Sequence, residues 1–113
     1  MLDDITSVTL STALSALSQQ QRTTANNIAN IETPGFIAGR VSFEDSLRDA
    51  VAAGSPASAQ VTTTSSTETP GVNGNNVDLG EEMVNETKTS MQYQLMSTAV
   101  SAKFDLISDS IRV

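Results

Sequence analysis

The sequence contains no cysteine and no histidine. Without cysteine there is no disulfide, thiol nucleophile or thiolate metal ligand, and without histidine the commonest general base and metal ligand is missing. The adjacent acidic pairs Asp3-Asp4 and Glu81-Glu82 lie near expected helix starts, where carboxylates stabilise the helix dipole. No phosphate-binding loop or nucleophile-elbow motif occurs. We therefore predict that the chain is not an enzyme and has no catalytic residues, cofactor or metal.

Large apolar groups are also scarce. Tryptophan is absent, aromatic residues make up 4% of the 113 residues, and hydrophobic residues make up 38%, below the roughly 45–50% of ordinary globular chains, a range that also counts glycine. The apolar residues concentrate towards the two ends of the sequence. A chain of this size forms one domain at most. We expect partial disorder until a partner binds, rather than a self-sufficient compact monomer.

Basic residues are few and scattered. Six Lys and Arg against thirteen Asp and Glu give a net charge of −7, which argues against nucleic acid as a partner because phosphate binding requires clustered basic side chains. No apolar run approaches the ~20 residues of a membrane span. The acidic start of the sequence, with no basic region ahead of an apolar one, does not resemble a cleavable secretory signal.

The first periodic segment predicts a helix from about Asp4 to Ala29, without Pro or Gly. Its apolar spacing of four and three residues is typical of a coiled-coil seam. The many Ser and Thr residues lower its intrinsic helicity, so packing must stabilise it. The predicted seam consists of Leu10, Leu14, Leu17, Gln21, Thr24, Ile28 and Ile31.

Pro34-Gly35 predicts a type II turn after this helix, since Pro presets φ at the second position and Gly supplies a positive φ at the third. Asn26, Asn27 and Asn30 crowd the last helical turns, where asparagine is a modest helix former. Two interpretations are open. The amides serve C-capping and loop structure, or they contact neighbouring chains in an assembly.

The middle of the sequence is irregular. Phe36 to Phe43 predicts a short extended segment broken by Gly39. Ser42 is the expected N-cap of a brief helix that ends at Gly54. Residues 55–76 have the composition of a low-complexity linker, in which the Thr run becomes an edge strand if another strand pairs with it.

A second long helix begins sharply after Gly74. Asp78 is a suitable N-cap, and Glu81 three residues later completes a capping-box pattern. A flanking stripe of Met91, Leu95, Met96, Ala99 and Ala102 widens the apolar surface beyond what one partner helix covers. A plain antiparallel hairpin with a loose core remains the alternative. The predicted seam consists of Leu79, Met83, Glu86, Ser90, Tyr93, Ser97, Val100, Phe104, Ile107 and Ile111.

These patterns predict a mainly α fold with two long terminal helices packed as an antiparallel coiled coil. The irregular middle has room for a short strand or hairpin. The expected segments are residues 1–35 (first helix and turn), 36–76 (middle and linker) and 77–113 (second helix), with the first and last pairing as one domain.

Two motifs resemble a known family. Asn26-Asn27-Ile28-Ala29-Asn30 followed by Thr33-Pro34-Gly35-Phe36 is similar to the N-terminal signature of the bacterial flagellar axial proteins. The run from Gly74 to Leu79, with Met91-Gln92-Tyr93-Gln94 after it, resembles their C-terminal half, and the small proximal rod proteins are the nearest group. Phe36 stands where tyrosine is common, and Gly80 where a better helix former is usual.

The resemblance implies a structural subunit of the flagellar basal-body rod, which self-assembles into the drive shaft that transmits torque and encloses the export channel. Implied partners are further copies, other rod proteins, the rod-to-ring adaptor and the export gate. The implied location is the basal body in the periplasmic space, after type III export without a cleavable signal peptide. We expect assembly contacts at Asn26, Asn27, Ile28, Asn30, Thr33, Pro34, Gly35, Phe36, Asn76, Asp78, Met83, Tyr93, Val100, Phe104, Ile107 and Ile111.

A soluble helical-hairpin adaptor or export chaperone is the competing hypothesis. Behaviour in dilute solution separates the two. A chaperone is expected to be a folded monomer or dimer. A rod subunit is expected to have low helicity and mobile ends until it assembles, because ordering each backbone residue costs about 1–2 kcal/mol.

Overall fold

Two long helices and a small sheet make up the structure, a computed structural model that describes residues 4–112. In chain order the elements are α1 (Asp4–Ala29), β1 (Gly39–Ser42), α2 (Glu44–Ala52), a 3₁₀ turn (Pro56–Ser58), β2 (Thr62–Ser65) and α3 (Leu79–Arg112). Helices α1 and α3 pack against each other, and the molecule measures 65 × 27 × 14 Å. The predicted mainly α fold with two packed terminal helices is confirmed.

The antiparallel pairing of α1 and α3 can be followed from end to end. Asn27 contacts Glu82 near the turn end of the pair, Gln21 Nε2 donates to Ser90 Oγ at 3.3 Å in the middle, and Lys103 Nζ donates to Ser7 Oγ at 2.6 Å near the other end. These contacts keep one register along the whole pair.

The buried side of α1 is lined by small and polar residues. Ala16 and Leu17 form the core with Phe43, and the side chains packed around them are Val41, Leu47, Val61 and Met96. Thr24 and Asn27 continue the buried line towards the turn. All members of the predicted α1 seam are buried or half-buried, so the seam identifies the packed side of this helix correctly.

The predicted α3 seam is wrong at both ends. Phe104 and Ile111 at its far end are 64% and 79% exposed. At its start, Leu79 and Met83 are exposed, whereas Glu82 and Thr89 face α1 and are buried. The physical reason is the polar pairing of Glu82 with groups on α1 and β1, which turns this residue inward and its apolar neighbour Met83 outward. Apolar periodicity cannot reveal a buried carboxylate, because the partners of that carboxylate lie elsewhere in the chain.

The middle segment is more ordered than a linker. The Thr run forms β2, which pairs antiparallel with β1 in the register Gly39↔Ser65 to Ser42↔Thr62, as expected for a strand that finds a partner. Its neighbour α2 begins at Glu44 with Phe43 as N-cap, so the predicted Ser42 cap is wrong by one residue. Phe43 is buried against α1, and this packing decides where α2 starts.

The end of α2 follows the prediction. Gly54 has a φ of +77°, its N–H donates to Val51 O at 2.9 Å, and the Ser55 N–H donates to Ala50 O at 2.8 Å. These two bonds are those of a Schellman motif, which glycine permits because it has no Cβ.

Candidate assembly site

The first motif closes as the type II turn that its sequence predicts. Gly35 has a φ of +74°, and the Phe36 N–H donates to Thr33 O at 3.2 Å. Helix α1 ends at Ala29, and residues 30–32 form further turns before Pro34. The prediction of a turn at Pro34-Gly35 is confirmed.

A second glycine turn lies directly against the first. The Gly74 N–H donates to Gly71 O at 3.0 Å, and the Gly35 N–H donates to Asn73 O at 2.9 Å. Gly74 has a φ of +80°, and a Cβ added to it would lie 3.3 Å from the Gly35 Cα. Positive φ and close approach both require glycine at residue 74.

Two consecutive asparagines hold the two turns together. Asn75 Nδ2 donates to the carbonyls of Asn30 and Thr33, both at 2.8 Å, and these carbonyls follow the end of α1. Asn76 Oδ1 accepts the Ala38 N–H at 2.7 Å, and its Nδ2 donates to Glu68 O at 3.1 Å. Both side chains are buried. Their amides therefore satisfy backbone groups that would otherwise be unpaired in the interior.

Asn27 binds β1 as a neighbouring strand would. Its Oδ1 accepts the Gly39 N–H at 2.9 Å, and its Nδ2 donates to Gly39 O at 3.0 Å. The same Nδ2 also donates to Glu82 Oε2 at 3.1 Å. With 1% of its surface exposed, Asn27 joins α1, β1 and α3 through one side chain.

Glu82 is a fully buried carboxylate with a cationic partner. Its Oε1 accepts from Arg40 at 2.8 Å, and Arg40 also reaches Glu81 Oε1 at 3.0 Å. The burial of an isolated charge is costly, and the Arg40 guanidinium offsets part of that cost for the Glu82 carboxylate. Glu82 also lies in the first turn of α3, where the helix dipole favours a negative charge.

We call this set of contacts the junction. It brings together α1, both glycine turns, β1 and the start of α3. Its members are Asn27, Thr33, Gly35, Phe36, Gly39, Arg40, Asn73, Gly74, Asn75, Asn76 and Glu82.

The asparagines of the first motif separate into two groups. Asn27 is hydrogen-bonded to groups inside the chain, as described above. Asn30 Nδ2 donates to Asn26 O at 2.8 Å and to Asn26 Oδ1 at 3.2 Å, while Thr33 Oγ1 donates to Asn30 Oδ1. Asn26 is exposed. The loop-structure interpretation accounts for these bonds, and contact between neighbouring chains stays a prediction.

Asp78 caps α3 as predicted. Its Oδ1 accepts the Glu81 N–H at 3.1 Å. The Glu81 side chain pairs with Arg40, so this carboxylate ties the first turn of α3 to β1.

The remaining predicted contact residues lie on the surface or at its edge. Ile28, Phe36 and Val100 are half-buried, and Thr33, Pro34 and Gly35 are exposed. Tyr93 and Ile107 are 36% and 37% exposed, at the margin of the packed face. Three large apolar side chains of the predicted set are well exposed. They are Met83 near the start of α3, and Phe104 and Ile111 towards its end.

A second apolar face runs along α3, turned away from α1. We call it the outer stripe. The sequence between Lys88 and Lys103 contains no charged residue, and within the described part of the chain the large apolar groups of this face are about two-thirds exposed. A monomer gains nothing from such a surface. The stripe consists of Val84, Met91, Leu95, Ala102 and Leu106.

Sequence reasoning missed four residues of the junction's interior. The sequence predicts a break in an extended segment at Gly39 and a helix-dipole partner at Glu82. It predicts no separate role for Arg40 or Asn75. No local signal identifies the role of Arg40, because its partners Glu81 and Glu82 lie 41 and 42 residues further along the sequence. Asn75 lay inside the second motif.

Two properties of the described chain bear on other functions. Among residues 4–112 no cluster of three or more acidic, histidine or cysteine side chains is arranged to bind a metal ion. Neither long helix in that range is apolar enough over its length to cross a lipid bilayer.

Comparison with known proteins identifies the family. The family model described as "Flagella basal body rod protein" matches residues 9–36, which include most of α1 and the first turn. The flagellar basal body rod protein FlgB of Bacillus subtilis (strain 168) is 32% identical over 109 residues, covering 85% of this chain and 84% of that protein. FlgB of Escherichia coli (strain K12) is 28% identical over 112 residues, covering 80% of this chain and 81% of that protein. The chain therefore belongs to the flagellar basal body rod protein family.

Proposed function

We propose that the chain is a structural subunit of the bacterial flagellar basal-body rod. It assembles with copies of itself and with other rod proteins into the drive shaft that transmits torque and encloses the export channel. The observation that carries this proposal is the outer stripe of α3, a set of large apolar side chains that nothing in the described part of the chain covers. In a family of rod proteins, neighbouring subunits are the natural source of that cover.

In this proposal the helix pair and the middle segment occupy different positions in the rod. Residues 1–35 and 77–113 pair as one domain, which faces the central channel, and residues 36–76 lie outside it between subunits. The α1·α3 packing and the separate sheet of β1 and β2 support this arrangement. The junction fixes the middle segment to the helix pair, so that a load applied to one is transmitted to the other.

The family relationship supports the proposed neighbours and location. The rod-to-ring adaptor and the export gate are the proposed contacts at the base of the rod, and the periplasmic space is the proposed location. The proposed export route is the flagellar type III apparatus. The exposed members of the predicted contact set, among them Asn26, Met83, Phe104 and Ile111, are the proposed inter-subunit residues.

The soluble adaptor or export chaperone is not favoured. The relatives named above are rod proteins, and a chaperone with a single partner has no use for apolar faces on opposite sides of α3. The relatives are likewise structural proteins rather than enzymes.

A charge placed on the outer stripe tests the proposal. Leu95→Asp is expressed in cells whose own copy is deleted, and swimming and the rods in purified basal bodies are scored. We expect no assembled rod, because an unpaired carboxylate buried between subunits costs several kcal/mol. Ser101→Asp, an exposed polar position of the same helix outside the stripe, is the matched control and should assemble.

Circular dichroism of both purified variants shows whether the substitution has altered the chain itself. Failure of Leu95→Asp alone, with the two spectra alike, supports the proposal. Normal assembly of Leu95→Asp would remove the observation on which the proposal rests.

A further inference from the structure

Asn73 is exposed, and the residue that follows it is glycine. Glycine has no side chain, so it hinders attack on the Asn73 side chain less than any other residue would. Of the seven asparagines in the sequence, this is the one followed by glycine. The backbone nitrogen of the following residue attacks the Asn Cγ during spontaneous deamidation, and a side chain on that residue obstructs the approach. The sequence therefore contains one intrinsically fast site.

The folded chain opposes this attack. The Gly74 N–H, the group that must lose its proton to become the nucleophile, donates to Gly71 O at 3.0 Å. The carbonyl of Asn73 accepts from Gly35 at 2.9 Å, and its Oδ1 accepts the Asn75 N–H at 3.1 Å. Ring closure must rotate the chain between residues 73 and 74, and Gly74 is packed against Gly35. Each of these contacts involves at least one residue of the junction.

We propose that Asn73 is a site of spontaneous deamidation which the closed junction protects, so that modification accumulates only while the junction is open. This inference is independent of the rod function, because it rests on the chemistry of one dipeptide and on contacts within the chain.

The reaction is balanced with water as the only co-reactant. The Gly74 nitrogen gives its proton to solvent and bonds to the Asn73 Cγ, and the Cγ–Nδ2 bond breaks with release of ammonia. Water then opens the resulting succinimide at either carbonyl. One product is aspartate with a normal backbone, and the other is isoaspartate, in which the former side chain carries the main chain.

The two products differ in their effect on the junction. Aspartate keeps the backbone that presents its carbonyl to Gly35 and a side-chain oxygen for the Asn75 N–H. Isoaspartate adds an atom to the main chain inside the second glycine turn and converts the Asn73 backbone carbonyl, which accepts the Gly35 N–H, into a free carboxylate. We therefore expect that the Gly35–Asn73 bond and the Gly35–Gly74 contact no longer form together. Conversion to isoaspartate therefore makes opening of the junction permanent.

The test measures deamidation and junction opening in the same samples. Full-length protein is incubated in mildly alkaline buffer alone, with a stabilising osmolyte, and with guanidinium. Peptide mass spectrometry follows each asparagine, and an isoaspartate-specific methyltransferase labels the product. Hydrogen exchange at Gly35 and Gly74 reports how far the junction is closed in each sample.

We expect Asn73 to be the fastest-reacting asparagine in guanidinium. Where exchange shows a closed junction, its reaction should be slower by about tenfold or more, in proportion to the protection of the two amides. Equal rates in samples with closed and open junctions would overturn the proposal. So would an unmodified Asn73 in guanidinium.

Three variants sharpen the result. Asn76→Ala removes the bonds to Ala38 and Glu68 and should raise the rate at Asn73 towards its guanidinium value, whereas Asn26→Ala, at an exposed position, should not. An unchanged rate in Asn76→Ala, with exchange showing an open junction, would contradict protection. Asn73→Asp should retain protection at Gly35, and the isoaspartate form should lose it. Equal protection in both forms would contradict the proposed consequence.

Discussion

One end of the α1–α3 pair buries polar side chains, and the other end exposes apolar ones. At the junction end the buried groups are polar: Asn27, Asn75, Asn76 and Glu82, with hydrogen-bond partners inside the chain. At the other end the exposed groups are apolar, with Phe104 64%, Leu106 69% and Ile111 79% exposed. Ordinary domains bury the second kind and expose the first.

The difference separates what the chain supplies for itself from what it requires of neighbours. Buried polar groups have specific partners, and here those partners come from α1, both turns, β1 and α3 of one molecule. Apolar side chains need only cover, which any suitable surface provides. We interpret the junction as the set of contacts that stabilises the subunit internally. We interpret the distal end, together with the outer stripe, as the assembly surface of the subunit.

The largest effect should follow from removing the distal apolar end. Deletion from Phe104 onward should abolish rod assembly and leave export nearly unchanged. Phe104, Ile107 and Ile111 each contribute roughly 1.5–3 kcal/mol when a neighbour buries them. Swimming assays and the amount of exported protein measure the two outcomes. Motility in the truncated strain would contradict the interpretation of the distal end as an assembly surface.

Removal of Arg40 should have the next largest effect, on the junction side. Arg40→Ala leaves Glu82 as an unpaired buried charge and should destabilise the folded chain by about 3–5 kcal/mol. Arg40→Ala combined with Glu82→Gln should recover part of that loss, because the buried charge is gone. Denaturant unfolding of assembled or osmolyte-stabilised protein gives the values. Full additivity of the two substitutions would show that the pair is not coupled.

Asn27 and Asn26 offer a matched pair at adjacent positions. Asn27→Ala leaves the Gly39 N–H without its side-chain acceptor and removes one of the two side-chain donors to the Gly39 carbonyl, the other being Arg40. This substitution should cost about 1–3 kcal/mol. Asn26→Ala changes an exposed side chain and should stay within about 0.5 kcal/mol in stability. If Asn26→Ala instead impairs assembly without affecting stability, the proposed inter-subunit role of this residue gains support.

A smaller loss of stability than that of Asn27→Ala is expected at the start of α3. Asp78→Ala removes the N-cap of the Glu81 N–H and should cost about 0.5–2 kcal/mol, whereas Asp78→Asn should retain most of the stability. Thermal unfolding of the two variants distinguishes them. Equal losses would mean that the charge of Asp78, rather than its cap, is what matters.

Local signals in the sequence were enough for the long elements. The bounds of α1, the turn at Gly35, the cap at Asp78 and the pairing potential of the Thr run all depend on neighbouring residues or on simple periodicity. Each of these predictions is confirmed by the structure.

The interior of the junction was beyond such reasoning. Arg40 and Glu82 are far apart in the sequence, and a charge pattern does not reveal that one carboxylate is fully buried. Leu79 and Met83 fit the apolar spacing, but Glu82 is buried in their place because the partners of Glu82 come from α1 and β1. Long-range polar pairing therefore decided the rotation of α3, and apolar periodicity carried no information about it.

Residue-level hydrogen exchange on dilute monomer and on assembled rods tests the central claim most directly. We expect low overall helix content in the monomer, with the remaining protection at junction amides such as Gly35, Gly39 and Asn76. The amides of residues 5–12 and 100–112 should exchange freely there and become protected in the rod. Uniform, cooperative protection of the dilute monomer out to both helix ends would contradict the account, and so would a junction that is protected only after assembly.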